Sequence, residues 1–124
     1  MELVITRGAA EGCTLVAARG EVDIYTAPIL SEEIAGLIQG GAYDLVIDLR
    51  EVDFLDSTGL GVLVASLKNV HGHGGSLQLV CNQERLLKLF RMTGLMEVFG
   101  VHKDCEAALA GSARVAGPGS ARVG

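Results

Sequence analysis

Apolar and polar positions alternate along this chain in blocks that predict its elements before any single residue is singled out. Leu3, Val4 and Ile5 open a first strand, Gly8 to Gly12 supply a turn, and Cys13 to Arg19 form a second strand. So short a connection predicts an antiparallel hairpin. Gly20-Glu21-Val22-Asp23 is expected to leave the sheet. A helix then starts at Thr26 or Ala27, with Pro28 in its first turn, where a missing N–H removes no hydrogen bond. Leu30, Ile34, Leu37 and Ile38 give that helix one apolar face, and Gly40-Gly41 ends it.

The segment from Asp44 to Val64 organises the rest. Its short apolar run, Leu45 to Leu49, fits a strand covered on both faces, as in α/β proteins. An acidic loop is expected to follow, and then a helix for which Ser57 or Thr58 is a candidate N-cap. Leu60, Leu63, Val64 and Leu67 recur at i, i+3, i+4 and i+7 and give that helix a buried stripe. Gly72, Gly74 and Gly75 break the chain before a fourth strand, Ser76 to Val80. A third helix is expected over Gln83 to Met92, with Leu86, Leu89 and Phe90 turned inward and Thr93-Gly94-Leu95 closing it. Val98 to Val101 reads as a short fifth strand, and Asp104 as the cap of a last helix ending near Ala110. The order ββαβαβαβα predicts an α/β fold, a small mixed sheet with covering helices, over residues 1–110. Residues 111–124, built of Gly, Ser, Ala, Arg, Val and one Pro, lack the apolar surface to order themselves and read as a flexible tail.

Composition narrows the function. The 124 residues suit one domain with a single core. No apolar run approaches the roughly 18 residues that cross a bilayer, and no leader-like segment opens the chain, so the reading is a soluble, cytoplasmic protein with no membrane partner. The net charge is −5, and Arg114 and Arg122 sit in the tail, so the remainder is more acidic still. With 0 Trp, 2 Tyr and 3 Phe, the chain has neither the electrostatic footprint nor the stacking surfaces of a nucleic-acid binder. Cys13, Cys81 and Cys105 are far apart, without a CxxC pair, which suits reduced and mostly buried thiols. His71-Gly72-His73 reads as solvated loop histidines, with no metal site implied. There is no GxxxxGK[ST], GxGxxG or GxSxG, so no nucleotide cofactor and no hydrolase chemistry is expected. The chain reads as a protein that is not an enzyme.

The chemistry that remains is a hydroxyl at a helix start. Asp48, Glu51, Asp53 and Asp56 precede Ser57 within nine positions. A phosphate there would add about −1.5 to −2 charge at a helix N-terminus, which tolerates an anion, while making an acidic rim more acidic. Ser57 as a simple cap is the competing reading. Asp23 and Asp56 read equally well as turn formers bonding their own backbone or as parts of a binding surface. Gly59 and Gly61 are an uncommon pair for the first turns of a helix, since each costs about 1 kcal/mol against alanine; close approach of a partner or of a neighbouring strand explains them.

Three segments carry a resemblance. Val46-Ile47-Asp48-Leu49 with the acidic segment and Asp56-Ser57-Thr58-Gly59-Leu60-Gly61 resembles the phosphorylation loop of STAS domains of the anti-sigma factor antagonist type. Gly20-Glu21-Val22-Asp23 is similar to that family's second signature and Met92-Thr93-Gly94-Leu95 to its third, and the three fall in the expected order. The resemblance implies an adaptor in bacterial partner switching. Unmodified, it would bind an anti-sigma factor that is itself a serine kinase and so free a sigma factor. Phosphorylated on Ser57, it would let go until a PP2C-type serine phosphatase resets it. Asp23, Asp56, Ser57, Thr58 and Gly59 are the implied partner-binding residues, and the ATP and its metal belong to the partner. Two alternatives stay open: an unswitched STAS interaction module of a transport or stressosome-type assembly, and a receiver-like domain with Asp53 or Asp56 as phosphoacceptor and Lys103 as its lysine.

Overall fold

A computed structural model describes residues 2–115 of the protein. Its sheet holds five strands in the order β1 (Leu3–Ala10), β2 (Cys13–Val22), β3 (Asp44–Leu55), β4 (Ser76–Val80) and β5 (Gly100–His102). β1 and β2 are antiparallel, and the pairs from β2 through β5 are parallel. The helices are α1 (Ala27–Gln39), α2 (Ser57–Gly72), α3 (Glu84–Met92) and α4 (Cys105–Val115), with a 3-10 turn at Leu95–Glu97. The expected mixed α/β architecture is therefore present.

Two hydrophobic clusters divide the sheet's faces. On one, Val16, Ala18, Leu45, Ile47, Leu49, Leu77 and Leu79 pack with the buried stripes of α1, α2 and α3, among them Leu30, Ile34, Leu63 and Phe90. On the other, Cys13, Val46 and Val80 pack beneath Ala108 of α4. Alternate residues of β3 thus serve both clusters, as befits a central strand covered on both sides.

Several boundaries differ from the sequence expectation, each for a local reason. The hairpin turn is tighter than Gly8 to Gly12: β1 runs to Ala10, and only Glu11 (φ +50°) and Gly12 (φ +84°) turn, the left-handed pair a two-residue hairpin asks for. β2 continues through Val22, and β3 through the presumed acidic loop to Leu55, because each supplies the other's partner: Gly20 pairs with Val52, and Val22 with Leu55. The acids at 51 and 53 are exposed positions on either side of buried Val52. β3 holds this course through two register shifts. One of them leaves the carbonyls of Leu49 and Val52 to accept bonds from the Gln83 side-chain amide, each at 2.8 Å. The fifth strand lies at Gly100–His102 because Leu95–Glu97 winds into a 3-10 turn. The Asp104 carboxylate accepts from Ala107 N–H at 2.8 Å, as expected of a cap, but α4 runs past Ala110 to Val115. The expectation of a flexible tail falls, beyond Val115, on residues 116–124, which lie outside the described residues.

The turn between β2 and α1 is built on Asp23. One of its carboxylate oxygens accepts from the Tyr25 N–H at 2.9 Å and the Thr26 N–H at 3.0 Å. The Thr26 hydroxyl accepts from the Asp23 N–H at 2.9 Å and donates to the Glu21 carbonyl at 2.7 Å. Asp23 is only 6% exposed. The Thr26 N–H bond, with the Tyr25 bond behind it, holds the Asp23 carboxyl below the ordinary carboxylate range against the opposing effect of burial.

Two predictions follow from this framework. A Cβ at Gly59 would stand 2.4 Å from a Leu55 methyl and 2.8 Å from a Val22 methyl, whereas one at Gly61 meets nothing within 4 Å. Gly59→Ala is expected to lower stability in urea titrations by about 1–3 kcal/mol despite better helix propensity, and Gly61→Ala to raise it by up to about 1 kcal/mol. Since the Asp23 pKa is depressed on folding, its charge contributes stability at neutral pH that is lost as pH falls through the folded value. The stability advantage of the wild-type protein over Asp23→Asn should therefore narrow on acidification; a constant difference across the acid range would disprove the assignment.

Candidate functional site

At the carboxyl end of β3 the chain turns directly into α2, and the residue that caps the helix is Asp56. In an extended conformation (φ −106°, ψ −172°) it accepts, through one carboxylate oxygen, from the Thr58 N–H at 2.9 Å and the Gly59 N–H at 3.1 Å. This corrects the expectation that Ser57 or Thr58 caps. Both hydroxyl residues are exposed, and neither hydroxyl enters a hydrogen bond among the described residues.

The Asp56 N–H donates to the Val22 carbonyl at 3.3 Å, so the start of α2 is tied to the end of β2. Gly59 completes that junction, since a Cβ there would crowd the methyl groups of Leu55 and Val22. Asp23, Asp56, Ser57, Thr58 and Gly59 are thereby gathered at one rim of the sheet. They divide by exposure: Ser57 and Thr58 face solvent, Asp56 is half-buried, and Asp23 and Gly59 are buried.

The acidic series before Ser57 does not act as one patch. Asp48 points to the α4 side, where Arg50 grips it with two bonds of 2.9 and 2.8 Å. Burial pushes the Asp48 carboxyl up, and the Arg50 bonds more than offset this, leaving it below the usual range; the same pairing raises the Arg50 guanidinium further. The Cys105 thiol alongside is pushed up, by burial and then by the Asp48 charge. Glu51 lines a hollow on the outer face of the sheet together with Asp48. Asp56 is the member of the series bonded into the first turn of α2.

What the sequence reading missed is apolar. The turn fixed by Asp23 presents Ile24 (63% exposed) and Tyr25 (82%) beside the start of α2. On the β3–α3 side, Phe54, Leu55, Leu86, Leu89 and Met92 line a groove of about 230 Å³, with Arg85 and Lys88 along it. Arg85 donates to the Asp53 carbonyl at 2.9 Å. The signal available beforehand was a pair of large apolar residues, Ile24-Tyr25, placed in a turn rather than on a periodic face. Among the described residues no helix is long and apolar enough to cross a membrane, and no three His, Cys, Asp or Glu side chains are grouped to hold a metal.

Residues 5–108 match the family of STAS domains. Among curated relatives, the anti-sigma-B factor antagonist of Bacillus subtilis is 46% identical over 87 residues, covering 70% of this chain and 79% of that protein. Among solved structures, an anti-sigma factor antagonist from Mycobacterium paratuberculosis superposes with a TM-score of 0.83 at 28% identity, covering 90% of this chain and 94% of the other. The phosphorylated form of the Bacillus cell fate determinant SpoIIAA superposes with a TM-score of 0.66 over 84% of this chain and 96% of its own, and at 19% identity this likeness is one of fold alone. With the sheet order, the capped second helix and these similarities in agreement, the chain belongs to the STAS domain family.

Proposed function

We propose that this protein is an anti-sigma factor antagonist switched by phosphorylation of Ser57. The observation that carries this reading is the release of the Ser57 hydroxyl from capping: Asp56 takes the first-turn N–H groups, and the alcohol is left exposed on a helix start that stays formed without it. The names of the curated relatives support the antagonist role.

In the unmodified state the rim docks on an anti-sigma factor that is a serine kinase, and occupying that factor frees its sigma factor in the cytoplasm. Ile24 and Tyr25 on one side of Ser57, and the Phe54–Met92 groove on the other, supply apolar area for docking. Gly61, exposed and one turn beyond Ser57, keeps the helix surface low between them. Asp23 acts by holding the turn that presents Ile24 and Tyr25, and Thr58 flanks the acceptor.

The partner contributes ATP, metal and catalytic groups; this chain contributes the acceptor oxygen. Its attack on the γ-phosphorus, with the hydroxyl proton passing to a base of the partner, breaks the bond to the β–γ bridging oxygen and leaves ADP and a phosphoserine carrying about −1.5 to −2 charge. The positive end of α2 tolerates that charge, so the fold persists. The N–H donors of Thr58 and Gly59 are already bonded to the Asp56 carboxylate, however, so the phosphate meets a neighbouring negative charge and remains directed at the interface. A penalty of about 2.8 kcal/mol there lowers affinity roughly a hundredfold, enough for release. A PP2C-type phosphatase then restores the alcohol.

The test combines the full chain with anti-sigma kinases and ATP, followed by intact mass and site mapping. One phosphate is expected on Ser57, none on Ser57→Ala, and an undiminished yield on Thr58→Ala. Ser57→Ala should bind the kinase as the wild type does, and Ser57→Asp roughly a hundredfold more weakly. Equal affinity of Ser57→Asp and wild type would refute the switch and favour an unswitched interaction module.

A further inference from the structure

Away from the Ser57 rim, β1 forms one border of the sheet, and among the described residues no strand lies beyond it. The hairpin fixes which of its backbone groups face outward. Leu3 stands opposite Gly20, and the Glu21 N–H donates to the Glu2 carbonyl at 3.0 Å, so Leu3 and Gly20 form a pair that exchanges no hydrogen bonds. The N–H and C=O of Leu3 therefore point away from β2. By alternation so do those of Ile5, Arg7 and Ala9, while Val4, Thr6, Gly8 and Ala10 bond to β2.

A sheet border ordinarily carries some feature that deters pairing with another chain: brevity, a proline, a bulge or a free charge. β5, the opposite border, is 3 residues long. β1 runs for 8 residues with no proline and no break in its register with β2. Its charged side chain, Arg7, is turned back to Glu33 of α1 at 3.0 Å. Gly8 adds a second observation. Its φ is not left-handed, and a Cβ there would meet nothing within 4 Å, so neither the backbone nor the packing within the chain calls for a glycine. Glycine inside a strand weakens it and often marks close approach of another backbone.

We propose that the β1 edge pairs with β1 of a second copy of this chain, antiparallel about a two-fold axis at Thr6. In that register Leu3 stands opposite Ala9 of the second copy and Ile5 opposite its Arg7, so every outward N–H and C=O of these residues meets a partner. Val4, 40% exposed, then faces the open space above the second copy's Gly8, and the two Thr6 side chains meet as a closely spaced pair. An axis at Arg7 would set two guanidinium groups directly opposite each other, and an axis at Ile5 would carry Ala9 past the start of the strand. The pairing is isologous and closes at two copies. Because the axis reverses strand direction, the two Ser57 rims point to opposite ends of the joined sheet and stay open, and the inference does not depend on the Ser57 reading.

The test is sedimentation equilibrium of the full chain at concentrations up to about 1 mM, for the wild type and for Thr6→Glu and Thr6→Lys, alone and mixed. Thr6 is exposed, so both variants should keep the wild-type fold, as read from their NMR spectra. The wild type is expected to reach the mass of two chains, with half-association at about 0.1 mM or below. Each variant alone, with like charges opposed across the axis, should associate at least about tenfold more weakly, and an equimolar mixture of the two should recover association. Amide hydrogen exchange gives a second readout: exchange at Ile5, Arg7 and Ala9 should slow with rising concentration, while Thr6 and Gly8, bonded within the hairpin, should not change. The proposal is overturned if the wild type keeps the mass of one chain at about 1 mM, which would leave the edge to a strand of a different protein. It is equally overturned if either variant alone associates as the wild type does, if the mixture associates no better than its components, or if the slowed amides lie outside β1.

Discussion

The hydrogen bonds from the Thr58 and Gly59 N–H groups to the Asp56 carboxylate are the contacts on which the organisation of this protein turns. A helix start needs some oxygen to satisfy its first N–H groups, and in a chain reading Asp-Ser-Thr three side chains compete for that work. Asp56 wins because β3 extends to Leu55 and the Asp56 N–H is fixed to the Val22 carbonyl, which sets its backbone extended and aims its carboxylate back at the helix. Had Ser57 capped, its oxygen would face inward and the helix would depend on it. A cap one residue earlier leaves an alcohol that can be chemically changed without unmaking the element that displays it.

The same junction explains the two glycines that follow. Gly59 is demanded by the approach of Leu55 and Val22, the neighbouring-strand explanation, while Gly61 faces open space and owes nothing to internal packing. The fold thus brings β2, β3 and α2 together tightly on one side of the helix and keeps its other side low. Asp23 does the corresponding work across the rim, where its buried carboxylate is spent on the turn while Ile24 and Tyr25 take the exposed positions.

Element types and order were legible in the sequence wherever periodicity was strong. The stripes Leu30–Ile34–Ile38 and Leu60–Leu63–Leu67, and the strand Ser76–Val80, stand where their spacing places them. The misreadings share one cause. Segments such as Gly20–Val22 and Glu51–Leu55 carry glycine or acid at alternate positions and look like loops in isolation; they are strands because each lies beside the other, information that exists only in the sheet. Capping failed for a related reason: three adjacent cap-forming side chains are indistinguishable until the preceding strand fixes the backbone. At the candidate site, the position of Ser57 at the start of α2 was legible from the residue pattern. The apolar flank was not, because exposure of Phe54 and Met92 depends on where α3 lies against β3.

β3 is also the reason the acidic residues before Ser57 divide between surfaces. A regular strand would send alternate residues to opposite faces, and the two register shifts alter that alternation just where charge is densest. Asp48, paired with Arg50, and Glu51 line one hollow on the outer face of the sheet, Asp56 goes to the helix start, and Asp53 joins the α3 groove. Concentrating four carboxylates at one rim would have raised the cost of adding a phosphate there and weakened the helix cap through mutual repulsion. With the others placed elsewhere, Asp56 is the carboxylate against which the proposed phosphorylation of Ser57 would chiefly set its charge. Electrostatic economy at the rim and a charged hollow on the opposite face are two consequences of one irregular strand.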